Sequence, residues 1–96
     1  MERHLLIREE AHQEILESYN WYEEQLPGLG EEFLLAVEGC LKRIAKKPET
    51  FQRKYKDFRS ALVTRFPFAI FFEISKNHII VYSVFHTSRE PLSWKK

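Results

Sequence analysis

A chain of 96 residues with 44% hydrophobic and 15% aromatic residues is long enough for one small hydrophobic core, which excludes an intrinsically disordered protein. Cys40 is the single cysteine, so an intrachain disulfide is excluded, a reducing setting is indicated and an inert core thiol is predicted. No signal peptide is visible, and the longest late apolar run, 79–85, is too short for a membrane-spanning helix. We therefore expect one cytoplasmic domain over residues 1–96, without a membrane partner.

The net charge of +1 hides a strong asymmetry along the chain. Residues 1–41 contain ten acidic and two basic residues, a net charge of −8. Residues 42–65 contain nine basic and two acidic residues, a net charge of +7, and residues 66–96 add +2. This pattern indicates an acidic face and a basic face with different partners, although helix-dipole complementarity explains part of it.

The first elements are a short strand at 4–7 and a helix that follows it. Apolar residues then recur at helical steps of three and four, which places them on one stripe: Ala11, Ile15, Tyr19, Tyr22 and Leu26. Trp21 lies off this stripe. It either packs under a loop or serves as an exposed anchor for a partner.

A turn at 27–30 leads into a second helix, so the two helices form an antiparallel hairpin. Acidic residues open the second helix, basic residues close it, and Pro48 ends it. Its predicted apolar stripe consists of Phe33, Val37, Cys40, Leu41 and Ile44.

A basic connector at 49–57 precedes three predicted strands, at 58–66, 68–74 and 79–85. Pro67 separates the first two strands, and residues 76–77 form a tight turn before the third. The resulting order is β-α-α-β-β-β. It predicts a two-layer α+β domain in which the helical hairpin packs on a small, twisted, mostly antiparallel sheet.

The residues most able to do chemistry are basic. The sequence contains no metal-binding motif, no glycine-rich phosphate loop and no nucleophile elbow. Arg65, His86 and Arg89 lie near strand ends that can converge, where they could cleave RNA by 2′-hydroxyl attack. The alternative is that these residues pair with Glu73, Glu90 or main-chain carbonyls and only hold the C-terminus in place.

Several stretches together resemble one family. They are AHQEI at 11–15, WYEEQLPGLGEEF at 21–33, KKPETF at 46–51, FRSALVTRFPFAIFFEI at 58–74 and VYSVFHTSREPLSW at 81–94. In these motifs the chain resembles the RelE/ParE superfamily of toxins from type II toxin–antitoxin systems, in particular the plasmid stabilisation protein group. The resemblance implies a compact α+β toxin that a cognate antitoxin covers with an acidic C-terminal segment.

The resemblance implies two alternative targets, and we expect the first of them, ribosome-dependent mRNA cleavage. A RelE-like toxin cleaves mRNA on the ribosome: Arg65, His86 and Arg89 would be catalytic, and Lys54, Lys56 and Arg59 would hold the RNA backbone. A ParE-like toxin inhibits DNA gyrase without being an enzyme. A third reading is an inactive toxin fold that only binds an antitoxin. The tryptophans Trp21 and Trp94 are the expected partner contacts, and no metal or cofactor is expected.

Overall fold

In the computed structural model of the chain, the structure describes residues 3–88. The elements in chain order are β1 (His4–Ile7), α1 (Glu9–Gln25), α2 (Leu29–Lys46), a short 3-10 helix (Pro48–Thr50), β2 (Arg53–Tyr55), β3 (Phe58–Leu62), β4 (Phe68–Ser75) and β5 (His78–His86). The two helices pack on one sheet, which confirms the predicted α+β architecture.

The strands form one sheet in the order β1-β5-β4-β3-β2. The first strand, β1, runs parallel to β5, while the other neighbouring pairs are antiparallel. This confirms the prediction of a mostly antiparallel sheet. Strand β4 is the central strand, and β5 lies between it and β1. Strand β5 contains a bulge, because Ser83 pairs with Phe71 whereas Val81 already pairs with Phe72.

The core lies between the sheet and the helical hairpin. Strand β4 directs Phe68, Ile70 and Phe72 toward the helices, at the spacing of two that a strand requires. The predicted helical stripes supply the opposite wall, with Ala11 and Phe33 fully buried. Leu26 differs from its prediction: it lies at the end of α1 and is exposed.

Cys40 is also fully buried in this core. Its thiol donates a hydrogen bond to the carbonyl oxygen of Leu62 at 3.6 Å. Burial raises the pKa of the Cys40 thiol above its ordinary value, although the nearby Arg43 charge acts in the opposite direction. The raised pKa keeps the thiol protonated and therefore unreactive.

The region between α2 and β4 differs from the prediction in two ways. The strand predicted at 58–66 ends at Leu62, because Val63 already donates to the carbonyl oxygen of Phe68 across a turn in which Arg65 has φ 73°. The connector predicted at 49–57 contains the edge strand β2, which pairs with β3 after a turn with φ 52° at Lys56. Such positive φ values are rare outside glycine and asparagine, so sequence patterns did not indicate these turns.

None of the helices within residues 3–88 is both long enough and apolar enough to cross a membrane.

The turn between the helices depends on a close approach at Gly30. The Glu23 carboxylate accepts hydrogen bonds from the main-chain N–H groups of Gly28 and Gly30, at 2.9 and 2.8 Å. These N–H groups belong to the start of α2, where no intrahelical acceptor is available. A Cβ atom at Gly30 would lie 2.6 Å from Cγ of Glu23 and 2.7 Å from the carbonyl oxygen of Tyr19.

We therefore predict that Gly30→Ala lowers the free energy of unfolding by about 1–3 kcal/mol, because the main chain of α1 must shift to accommodate the methyl group. Gly39→Ala is the matched control, since no atom lies within 4 Å of a Cβ at that helical position. The control should raise stability by up to about 1 kcal/mol. Urea denaturation of both variants provides the measurement, and equal effects would contradict the proposed close packing.

Candidate functional site

The candidate site is a groove between α1 and the second half of β5. Strand β1 pairs with β5 only from His78 to Val81, so helix α1 lies along the remainder of that edge. The Glu14 carboxylate occupies the place of a neighbouring strand. Its Oε1 accepts hydrogen bonds from the N–H of Val84 and from the Ser83 hydroxyl, both at 2.9 Å. This contact fixes the distance between the helix and the strand edge.

The groove has a volume of about 610 Å³. A second cavity, of about 190 Å³, adjoins the groove and extends to Glu14. Four residues line both cavities. Aromatic rings and one carboxylate dominate the lining of the larger cavity, which consists of Glu17, Ser18, Trp21, Tyr22, Pro67, Phe68 and His86. A concave, largely aromatic surface with few polar groups is typical of a binding site.

A cluster of aromatic rings forms the floor of the groove. Tyr22 lies 5.1 Å from Phe66 and 5.3 Å from Phe33, measured between ring centroids. Phe33 in turn lies 4.9 Å from Phe68. Burial raises the pKa of Tyr22 above its ordinary value, so this ring stays neutral. The cluster joins both helices to the turn before β4 and makes the floor rigid.

Trp21 stands at the mouth of the groove. Its ring meets the ring of Tyr22 edge-to-face at a centroid distance of 5.2 Å, while 55% of the residue is exposed. The sequence left two possibilities for Trp21, and the structure shows the exposed position and not packing under a loop. Contact between Trp21 and a partner remains a prediction. An exposed tryptophan on a rigid aromatic support has the form of an interface anchor.

His86 closes the other side of the groove at the end of β5. Its ring lies 5.4 Å from the ring of Phe68, and its Nδ1 accepts a hydrogen bond from the N–H of Ser88 at 3.1 Å. The Ser88 hydroxyl lies 2.7 Å from the same nitrogen. Because the main-chain N–H can only donate, the neutral ring carries its proton on Nε2.

Arg65 lies in the turn before β4, away from this groove. Its guanidinium contacts the Glu32 carboxylate at the start of α2, at 3.5 Å, and its side chain is 74% exposed. Within residues 3–88, no hydrogen bond or ion pair joins Arg65 to His86. Arg89 and Trp94, the other predicted residues of this region, lie outside the described residues.

Arg59 points toward the helix-covered side of the sheet, as does its neighbour Ala61 in the core. Its Nη1 donates to the carbonyl oxygen of Phe51 at 2.7 Å and to that of Glu49 at 3.4 Å. Its Nε is buried and has no hydrogen-bond partner. Two neutral carbonyl groups therefore hold this guanidinium, and no carboxylate in the described part of the chain pairs with it.

Lys54 and Lys56 are exposed at the edge of the sheet, in β2 and in the turn that follows it. The Lys56 ammonium lies 5.5 Å from the centroid of the Tyr55 ring. The predicted site residues that the structure describes are therefore distributed over separate places: the groove, the turn before β4, and the β2 edge with the adjoining inner face of β3.

The residues that build the groove were missed in the sequence, except for His86 and Trp21. Neither Glu14 nor Glu17 was singled out. A signal was present: Ala11, Glu14, Ser18 and Tyr22 follow each other at steps of three, four and four, which places them on one helix face. A carboxylate on a face that is otherwise packed indicates a specific acceptor role.

Within residues 3–88, no three or more histidine, cysteine, aspartate or glutamate side chains are grouped so that they could hold a metal ion.

Comparison with known proteins gives a family and a fold. The family described as "ParE toxin of type II toxin-antitoxin system, parDE" matches residues 5–91. Among solved structures, the chain is similar to one from the "Chromosomal ParDE TA system from P. aeruginosa", with a TM-score of 0.69 and 17% sequence identity. That similarity covers 88% of this chain and 95% of the other chain. A search of curated proteins finds no significant match.

We predict that Glu14→Ala lowers the free energy of unfolding by about 1–3 kcal/mol, because the Val84 N–H loses its acceptor in a partly buried position. Glu14→Gln retains an oxygen at that place and should recover part of the loss. Glu17→Ala is the control, because that side chain is exposed on the same helix. Urea denaturation measures all three, and an equal loss in Glu14→Gln and Glu14→Ala would show that the acceptor oxygen is unimportant.

Proposed function

Because the chain belongs to the ParE toxin family of type II toxin–antitoxin systems, we propose that it inhibits growth by binding a protein target, DNA gyrase, without acting as an enzyme. The observation that carries this proposal is the chemistry of the groove. Its described lining offers aromatic rings and carboxylates, which suit a protein segment, and contains no cation that would attract RNA.

Charge argues against RNA cleavage at His86. A phosphodiester already carries a negative charge, and its pentacovalent transition state carries more, so cations must lie close to it. The groove beside His86 instead contains the carboxylates of Glu14 and Glu17. Arg65 is paired with Glu32 elsewhere, and Arg59 is held by main-chain carbonyls. The negative charges of these two glutamates would repel the reacting phosphate.

Trp21 is the proposed anchor for the target. Interfaces concentrate their binding energy in a few residues, and tryptophan is prominent among them. Two supports favour this role: more than half of Trp21 is exposed, and the packed ring of Tyr22 lies behind it. A rigid support lowers the entropic cost of ordering a side chain on binding.

We further propose a cognate antitoxin that neutralises the toxin by covering its sheet and basic surface with an acidic C-terminal segment. The support is the separation of charge along the chain, where residues 42–65 carry a net charge of +7. Added strands and docked helices are the usual ways in which one extended segment covers a small domain. A target such as gyrase would place the action of the toxin in the cytoplasm.

Ribosome-dependent mRNA cleavage is the second candidate, and one observation favours it. His86 lines the groove from the end of β5, and imidazole is the side chain that most often transfers protons in catalysis. In this alternative, Arg65 and Arg89 stabilise the transition state, and Lys54, Lys56 and Arg59 hold the RNA backbone.

The third candidate is an inactive toxin fold that only binds an antitoxin. Such a protein would give no growth phenotype when it is expressed alone.

We predict that Trp21→Ala abolishes growth arrest and weakens binding to purified gyrase by at least about 2 kcal/mol, or about 30-fold in Kd. Leu35→Ala is the matched control, since it removes an exposed apolar side chain from the other helix, where 67% of that residue is exposed. Plasmid supercoiling after induction and calorimetric binding provide the two measurements. If gyrase binds Trp21→Ala and Leu35→Ala both as tightly as the parent chain, Trp21 is not the anchor.

We also predict that induction of the parent chain reduces plasmid supercoiling and leaves cellular mRNA ends unchanged. His86→Ala and Arg65→Ala separate the two candidates, because RNA cleavage would require both residues. If induced cells show new mRNA ends that disappear in both variants, while each variant keeps its fold by circular dichroism, the gyrase proposal is replaced by the nuclease.

A further inference from the structure

A cavity of about 320 Å³ lies at the C-terminal end of α2, at a distance from the groove described above. Its lining is strongly basic and includes one hydroxyl and one aromatic ring: Arg43, Lys46, Lys47, Thr50 and Phe51. The sequence explained the basic residues only as the end of the second helix, and the proposed function included them only in the basic stretch 42–65. The composition of the lining therefore requires its own explanation.

Helix-dipole complementarity accounts for only part of this charge. The C-terminal end of a helix carries the equivalent of about half a negative charge, which one cation offsets. Three cations stand at this end, namely Arg43, Lys46 and Lys47. Within residues 3–88, no carboxylate lies within ion-pair distance of any of them. A surplus of positive charge therefore remains in the cavity wall.

Among residues 3–88, Arg43 and Arg59 find only neutral groups as hydrogen-bond partners. Arg43 donates to the carbonyl oxygen of Leu62 at 3.2 Å. Arg59 lies behind Phe51 and donates to its carbonyl oxygen at 2.7 Å. The nearby Glu49 carboxylate is already bound to Arg3, at 3.1 Å. An anion entering the cavity would meet these uncompensated charges without displacing a carboxylate.

The rim of the cavity is fixed by the 3-10 helix. The N–H and the hydroxyl of Thr50 both donate to the carbonyl oxygen of Lys47, at 3.2 and 2.7 Å. The ring of Phe51 is held edge-on against Phe72 in the core, with centroids 5.9 Å apart. This leaves the long side chains of Lys46 and Lys47 as the adjustable part of the site.

We propose that this cavity binds a backbone phosphate of nucleic acid, with Lys46 and Lys47 as its principal contacts and Arg43 and Arg59 adding positive charge. Lysine ammonium groups bind phosphate as point charges and do not require a fixed geometry. Lys54 and Lys56 are also exposed, in β2 and the turn that follows it, where they could contact further phosphates of the same chain. Duplex DNA and single-stranded RNA share this phosphodiester chemistry.

The inference goes beyond the proposed function and does not depend on the identity of the toxin's target. It is tested on the purified full-length chain with two probes, a 20-base-pair DNA duplex and a 20-nucleotide single-stranded RNA of mixed sequence. Fluorescence anisotropy gives Kd at a series of salt concentrations. Each phosphate contact contributes about 0.9 to the slope of log K against log salt on duplex DNA and about 0.7 on single strands.

The double variant Lys46→Gln, Lys47→Gln should lose two contacts. We expect the slope to fall by about 1.8 on duplex DNA or about 1.4 on RNA, which corresponds to binding weakened about 60-fold or about 25-fold at 0.1 M salt if binding at 1 M is unchanged. The probe that shows this loss identifies the source of the phosphate. Each single variant should show about half of the slope change.

Arg8→Gln is the control for net charge. It removes one positive charge from an exposed residue that contacts Glu10 and the ring of Tyr82, away from the cavity. Its slope should match that of the parent chain. The proposal is overturned by absence of binding to both probes at low salt, or by equal losses in Arg8→Gln and Lys46→Gln. It is also overturned if an acidic peptide, and neither nucleic acid, depends on Lys46 and Lys47.

Discussion

The carboxylate of Glu14 is the contact on which the shape of the candidate site depends. Strand β1 is only four residues long, so half of the β5 edge has no strand beside it. A main-chain N–H at such an edge must find another acceptor, because an unpaired buried donor costs about 1–3 kcal/mol. Glu14 supplies this acceptor to Val84 from helix α1. This contact also sets the distance between α1 and β5. The space that remains between the helix and the end of the strand is the groove.

The acidic and basic side chains of the chain lie on different surfaces of the domain. Glu14 and Glu17 of α1 line the groove or the cavity that adjoins it, and Glu14 also accepts a main-chain hydrogen bond. The basic residues gather instead at the far end of α2 and along β2. One small domain thereby presents two surfaces of opposite charge. A protein segment suits the aromatic, acidic groove, whereas a polyanion suits the basic end.

The sequence predicted what depends on periodicity and missed what depends on single contacts. Helical stripes identified Phe33 and Val37 as core residues, because burial on one face repeats along a helix. The turn at Arg65 was missed, because nothing in that residue type indicates a positive φ. The sequence assigned Arg59 to the right strand. It did not predict the carbonyl partners of Arg59, because they lie in the irregular connector before β2, whose path follows no periodic pattern.

The aromatic cluster shows why the fold can persist while the site changes. Tyr22, Phe33, Phe66 and Phe68 join the helices to the turn before β4, and they define where Trp21 and His86 stand. Packing of this kind tolerates substitution if volume is kept. A solved structure at 17% identity shares the fold of this chain. The groups at the groove surface are under no such constraint. The target of a toxin with this fold must therefore be inferred from its surface chemistry, which in this chain combines an exposed indole with carboxylates.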